Sequence, residues 1–216
     1  MRAGNFSYVN ASDIPETVAL FPLSGALLLP GGQMPLNIFE PRYLAMIDHA
    51  LATDRLIGMI QPALDGSENK LCSVGCLGRI SSFAETGDGR YHLTLAGVCR
   101  FRVVEEASVK TPWRQAHITP FLGDLETPDG KDVDRSALLK AFKSFLEANS
   151  MDADWESVNR ADNVMLVNSL SMMSPYGPAE KQALLEAADL KARAETLVAI
   201  TEIMLARNGE TGSTLQ

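Results

Sequence analysis

The side chains with the widest chemical range in this 216-residue chain are three cysteines, Cys72, Cys76 and Cys99, and three histidines, His49, His92 and His117. Cys72 and Cys76 stand as C-x3-C, a spacing that could place two thiolates on one zinc ion. A tetrahedral site needs a second Cys or His pair, and none follows at finger spacing. The thiols therefore read as small buried residues in or near a strand. His49 falls on an early helix as a surface or boundary residue. His92 alternates with core positions and should face solvent. No serine sits in a G-x-S-x-G elbow. Ser169, Ser171 and Ser174 lie among methionines near a helix end, where capping or solvation suffices. Glu105 and Glu106 read as solvated charges at a strand end. The nearest approach to a phosphate loop is Gly123 to Asp132, but Gly130-Lys131 lacks the following Ser or Thr and the glycine spacing differs. No G-x-G-x-x-G follows a strand. The expectation is a protein with no catalytic residue, no metal ligand and no cofactor.

Charge and composition narrow the partners. The formal net charge is −8 and no long basic run exists, which argues against nucleic acid as a partner. An odd number of cysteines argues against a disulfide framework and for a reducing compartment. The opening MRAGNFSYVNASD has no apolar h-region, and the longest apolar runs, such as GALLLP, are far too short to span a bilayer. The expected setting is cytoplasmic, away from a membrane.

The elements that would position these residues change character along the sequence. Apolar runs at Val18 to Leu23, Ala26 to Leu29 and Leu56 to Ile60, punctuated by Pro and Gly, predict short strands. Val74 to Glu106 is strand-rich, with Gly87-Asp88-Gly89 marking a hairpin between Ile80–Phe83 and Tyr91–Leu95. Gly97 interrupts the alternation and predicts a bulge or bend. Trp113 to Phe121 reads as one more strand. From Asp134 the period becomes helical: Leu138, Leu139, Phe142, Phe145 and Leu146 share one face. A further helix is predicted from Trp155 to Met173 with Val164, Val167, Leu170 and Met173 in register. A short helix starts at Pro178, and a last one is capped by Asp189 and closed by Asn208-Gly209. The polar tail ETGSTLQ should fray. One helix interrupts the strands early. Pro41 suits its first turn, Glu40 complements its dipole, Leu44, Ile47 and Leu51 give it an apolar face, and Phe39 would pack under its start. Arg42 reads as structural. Strands followed by helices make an α+β protein.

With the catalytic patterns absent, apolar surface is the remaining functional signal. Methionine suits surfaces that accept varied apolar partners. Met34, Leu36, Met172, Met173 and Tyr176, close to Gly and Pro turns, are the candidate binding residues.

Several stretches resemble the N-terminal substrate-binding domain of Lon protease. They are Leu20-Phe21-Pro22-Leu23, Leu29-Pro30-Gly31, Pro35-Leu36-Asn37-Ile38-Phe39-Glu40-Pro41-Arg42-Tyr43 and Gly97-Val98-Cys99-Arg100-Phe101. Ser174-Pro175 to Leu185 and Asp189-Leu190-Lys191-Ala192-Arg193 add to them. The resemblance runs from about residue 16 to residue 207, with Pro30, Pro35, Phe39, Glu40, Pro41, Arg42, Gly97 and Arg100 as its structural signature. It implies a PUA-like β pseudo-barrel with one inserted helix, followed by a C-terminal α-helical bundle. The expected division is a β-rich unit over 1–122, a linker over 123–133 and a helical unit over 134–216. Neither the ATPase nor the serine-lysine peptidase motif of full-length Lon occurs, so the sequence looks like a stand-alone version of the domain. The implied function is non-enzymatic binding of unfolded or partner polypeptides, with a separate protease as a candidate partner. Two rivals are a small-molecule-binding regulatory module, signalled by an enclosed pocket with converging polar groups, and an unrecognised hydrolase.

Overall fold

The computed structural model describes residues 1–67, 69–126 and 128–212. They divide into two compact units: Met1–Thr127 with Tyr176–Leu185, and Pro128–Pro175 with Glu186–Gln216.

The first unit is the strand-rich one. A small hairpin, β1 (Arg2–Ala3) and β2 (Phe6–Ser7), precedes β3 (Thr17–Pro22), β4 (Gln33–Ile38), α1 (Pro41–Ala52) and β5 (Leu56–Ile60). The long strands β6 (Val74–Glu85) and β7 (Tyr91–Glu106) and then β8 (Arg114–Pro120) complete it. The sheet order is β4-β7-β6-β5-β3-β8, and β8 also pairs with β7. The last pairing closes β7, β6, β5, β3 and β8 into a barrel and leaves β4 outside it as a branch on the first half of β7. All pairs are antiparallel except β3 with β5. α1 lies on the crossover that joins those two parallel strands, as parallel pairing demands.

The run Leu27 to Leu29 is buried but forms no strand. Its carbonyls and the following turn instead meet Gly97, whose N–H donates to Gly32 O at 2.9 Å and whose carbonyl accepts from Gly31 N–H at 3.0 Å. A Cβ at Gly97 would overlap the Leu29 carbonyl oxygen. Glycine is needed there for close backbone approach, and the bulge expected from the sequence sits beside it. Leu77 faces Cys99 while Gly78 faces Gly97, so Val98 is the extra residue.

The barrel interior is apolar, with Leu20, Leu77, Val98, Cys99, Phe101 and Ala116 all fully enclosed. Phe101 fills space left by two glycines: a Cβ on Gly75 would lie 2.5 Å from its Cζ, and one on Gly58 2.9 Å. On α1 the buried face is Tyr43, Met46, Ile47 and Ala50. It is rotated from the expected Leu44–Ile47–Leu51 stripe because Tyr43 packs against Phe21, with ring centroids 4.3 Å apart and the planes tilted by 59°. Phe39 does not pack under the helix; it is 61% exposed.

The second unit holds α2 (Arg135–Ala148), α3 (Trp155–Arg160), α4 (Asn163–Met173) and α6 (Leu190–Gly212), while α5 (Pro178–Glu186) belongs almost wholly to the first. The helix expected from Trp155 to Met173 is two, because Asp162 caps α4 by accepting from Met165 N–H at 2.7 Å instead of continuing the turn. Asp134 and Asp189 cap as expected, accepting from Ala137 and Ala192 N–H. The buried face of α4 is Leu166, Val167, Asn168 and Ser171. It is turned from the apolar stripe because the Asn168 side chain accepts from Arg193 Nη1 at 3.2 Å inside the bundle. α6 continues through Asn208-Gly209 to Gly212, and the tail beyond it lies outside the described residues.

Candidate functional site

Buried polar groups come first, since burial without a partner is costly and catalytic groups are often found there. Arg100 on β7 is 5% exposed and forms a bidentate pair with Asp124. Nε and Nη2 donate to the two carboxylate oxygens at 2.8 Å each, and the Arg100 backbone N–H adds a third bond at 2.9 Å. Nη1 donates to Leu185 O at 3.2 Å, and the Phe121 ring lies 5.1 Å from the guanidinium carbon. A second network joins the same helix to the sheet. Gln61 Nε2 donates to Pro178 O at 2.9 Å and to Gln182 Oε1 at 3.1 Å. Gln182 Nε2 donates to Val74 O at 3.1 Å, and Gln61 Oε1 accepts from Gly25 N–H. These groups satisfy one another and seat α5 on the barrel. They read as scaffold. Asp124 and Leu125 belong to the first unit's interior, and Asn163 Nδ2 donates to Gly130 O in the second.

The groups with nucleophilic or metal-binding chemistry do not converge. Cys76 and Cys99 are buried and Cys72 is half-buried, and none of the three is in a disulfide among the described residues. Among the described residues, no group of three or more His, Cys, Asp or Glu could hold a metal ion. His117 Nδ1 sits 2.9 Å from Thr17 Oγ1, an exposed cross-strand rung between β3 and β8. Burial, with a smaller effect of the Asp124 charge, pushes the Cys99 thiol from about 9 up to about 12. A thiol so raised is neutral at pH 8. In a Cys72→Ser, Cys76→Ser variant the remaining Cys99 should stay silent to Ellman's reagent in the native state and react on unfolding. Fast native labelling would contradict the burial. The same shift favours the folded state fully below about pH 9, and that contribution is lost as pH rises toward about 12. Alkaline unfolding should therefore set in earlier in wild type than in Cys99→Ala, at equal protein concentration.

The candidate binding residues fall in different places. Met34 and Leu36 lie on β4, both half-buried. Met172 is half-buried near the end of α4, and Met173 beside it is 83% exposed. Tyr176 is buried in the first unit. Met172 and Met173 belong to the second unit, with exposed Met151 and Met165 elsewhere in it.

Around β4 the sheet opens. β4, the start of β7 and the end of β6 form a three-stranded extension beyond the barrel, with Leu36 opposite Leu93 opposite Phe83. Strand alternation places Leu36, Tyr91 and Phe83 on one face. Phe83 meets Tyr91 edge-on at 4.9 Å and is 36% exposed. Phe39 follows β4, with the Arg90 guanidinium carbon 6.0 Å from its ring centre. On the opposite face, Pro35, Asn37, Ser82, Ala84, His92 and Thr94 share an open concavity of about 510 Å³. The hairpin tip is ordered by Thr86 N–H donating to Arg90 O and by Gly89 at φ +80°.

β4 is an edge with no further strand among the described residues. The bond from Gly97 N–H to Gly32 O sets the alternation, so the backbone of Gln33, Pro35 and Asn37 faces outward. Pro35 has no N–H, so the outward row lacks its middle donor. Edge prolines of this kind blunt strand addition. This edge therefore offers side chains more than a backbone ladder. Sequence reading reached Met34 and Leu36 but not Phe39 and Phe83. The signal present was an aromatic at an alternating position close to the Gly87-Asp88-Gly89 turn, where a hairpin outruns the barrel.

Comparison with known proteins places this architecture. Residues 17–202 match the family model described as the ATP-dependent protease La (LON) substrate-binding domain. Lon protease 2 of Myxococcus xanthus is 27% identical over 196 residues, 86% of this chain and 23% of that protein. A Lon protease of Parabacteroides distasonis is 31% identical over 87% of this chain and 24% of its own length. The chain thus spans about a quarter of the length of the curated relatives it matches. The crystal structure of a Lon N-terminal domain protein from Xanthomonas campestris superposes with a TM-score of 0.62 at 26% identity, covering 85% of this chain and 97% of that one. The N-terminal domain of a Mycobacterium avium complex Lon protease, also at TM-score 0.62 and 21% identical, shares the fold.

Proposed function

The chain belongs to the ATP-dependent protease La (LON) substrate-binding domain family, and from that premise we propose that it is a non-enzymatic module that holds apolar segments of unfolded or partner polypeptides. The observation that carries this reading is the match over residues 17–202 to a domain described by substrate binding. Within the first unit, the surface that fits is the end of the β4–β7–β6 extension. Phe83 stands partly exposed there beside half-buried Leu36 and Tyr91, and exposed Phe39 follows the last residue of β4 near Arg90. Aromatic side chains supply large apolar contact at low entropy cost, and a few such anchors usually carry most of a binding energy. Polypeptide substrates, a separate protease as the consumer of what is bound, and a cytoplasmic setting complete the reading. No helix among the described residues is long and apolar enough to cross a membrane.

A labelled, permanently unfolded model polypeptide tests this by fluorescence anisotropy. Wild type should bind it. Phe39→Ser with Phe83→Ser should weaken binding by about tenfold, on the order of 1–2 kcal/mol. Phe39 is 61% exposed and Phe83 36%, so any loss of thermal stability should come mainly from the Phe83–Tyr91 contact, and affinities are compared at a temperature where both proteins are folded. Equal affinity for wild type and variant would remove this surface from the account. No binding by wild type would remove the function.

A further inference from the structure

The β4–β7–β6 extension has a second edge, on β6. β5 pairs with β6 only from Leu56 opposite Arg79 to Met59 opposite Cys76. The last bond on that side runs from Ile80 N–H to Arg55 O at 2.8 Å. Beyond it, Ser81 to Glu85 have β7 as their one neighbouring strand among the described residues, and all five are exposed. The two ends of this stretch fix which backbone groups face outward. At the hairpin tip, Thr86 N–H donates to Arg90 O at 2.8 Å. Thr86 thus faces β7, Glu85 outward, Ala84 toward β7 and Phe83 outward. From the other end, Ile80 faces β5, and the bulge between Ile80 and Ser82 absorbs one residue. Ser81 Oγ there donates to Thr94 O at 3.0 Å. Both routes leave the N–H and C=O of Phe83 and Glu85 directed outward, and among the described residues no loop bond reaches them. The proline that blunts β4 has no counterpart on this edge, where Glu85 is the one charged side chain.

We propose that this edge of β6 takes up an extended segment of a bound polypeptide as an added antiparallel strand. The proposal rests on the polypeptide-binding reading above and says how the chain is held. The added strand lies in line with β5, which is also antiparallel to β6. Two of its residues exchange backbone hydrogen bonds with Phe83 and Glu85. The side chains of those two residues share a face with the residues they oppose. The one opposite Phe83 meets a partly exposed aromatic ring, so an apolar or β-branched residue fits. The one opposite Glu85 meets an acidic end of the face. Glu85 pairs across with Tyr91, whose hydroxyl donates to Asp48 Oδ1 at 2.9 Å, so Lys or Arg fits there. In an antiparallel strand the basic residue comes two positions before the apolar one. The preferred segment is therefore basic-x-apolar. A second copy of this chain fits less well. Each copy carries a net charge of −8, and pairing the two edges antiparallel brings Glu85 of both copies into one short ladder.

The test follows backbone amide signals of the intact 15N-labelled protein during titration with the peptide Gly-Ser-Lys-Thr-Val-Thr-Ser-Gly. Two further peptides carry one backbone N-methyl group, on the Val or on the Thr between Lys and Val. The parent peptide should move the Phe83 and Glu85 amide signals downfield, as new hydrogen bonds do, and leave Ala84 nearly in place. The Val nitrogen points at β6, so its methylation should weaken binding by about tenfold. The Thr nitrogen points away, so its methylation should change binding by less than about twofold. Glu85→Pro and Glu85→Gln separate backbone from charge. Both lose the carboxylate, but only the proline loses the outward N–H, which β7 does not use. Glu85→Pro should therefore bind the parent peptide more weakly than Glu85→Gln. Equal effects of the two methylations, or no shift at Phe83 and Glu85 up to about 5 mM peptide, would overturn the inference and leave side-chain binding to the anisotropy assay. Movement of the same two signals on raising protein concentration without peptide would assign the edge to a second copy and overturn it as well. No anisotropy response of wild type to the unfolded polypeptide would remove the proposed function, and this inference with it.

Discussion

Replacing Arg100 with alanine is expected to destabilise the β-rich unit by about 3–5 kcal/mol. The guanidinium is 5% exposed and its partner carboxylate nearly as enclosed, so neither charge can turn to water when the other is lost. Removing Arg100 strands Asp124, the Arg100 backbone contact and the Leu185 carbonyl that ties down α5. Arg100→Lys should recover little, because a single ammonium cannot make the two parallel bonds of the fork. Arg100→Met combined with Asp124→Leu should lie much closer to wild type than either single change, since no charge is then left buried. Urea unfolding of the four proteins measures this. A cost below about 1 kcal/mol for Arg100→Ala would mean that the pair is solvated and that α5 is seated by the Gln61–Gln182 network alone.

Phe101→Ala is expected to cost about 3–5 kcal/mol, from lost apolar burial and the cavity it leaves. Its ring occupies the barrel interior against Gly58 and Gly75, which have no Cβ to retreat or advance. Gly75→Ala should destabilise from the opposite direction, by about 1–3 kcal/mol, because the new methyl meets both the ring and the Met59 carbonyl oxygen. The two sites touch, so their effects should not add. Gly75→Ala in a Phe101→Leu background should cost less than in wild type, by a coupling of about 0.5–1 kcal/mol read from a double-mutant cycle. Strict additivity would show that the ring and Gly75 do not share space in solution.

Much of this architecture is legible in the residues because local chemistry and global packing agree there. Pro41 opens α1, Gly87 to Gly89 turn the β6–β7 hairpin, and Gly97 stands where the Leu29 carbonyl leaves no room for a Cβ. The aspartates at 134 and 189 cap the helices expected after them. What escaped reading depends on partners distant in sequence. Nothing local to Asn168 reveals that it turns inward to meet Arg193. Pro178 to Leu185 has only weak amphipathicity, and its place on the barrel follows from Gln61, Val74 and Arg100, each far upstream. A division drawn along the sequence has no room for that return. Phe39 was expected under α1, but Tyr43 takes the contact with Phe21 and leaves Phe39 in solvent. The exposed aromatic end of the β4–β7–β6 extension is thus a product of register, which a single sequence constrains only through turns and alternation.

Hydrogen exchange with and without a saturating unfolded polypeptide tests the binding account most directly. Binding at the proposed surface should slow exchange in Gln33–Ile38, at Ser82 to Glu85 and at Tyr91 to Thr94. Amides of the closed barrel around Phe101 should be unchanged. Slowed exchange confined to the helical unit, or none anywhere under conditions where anisotropy reports saturation, would contradict it.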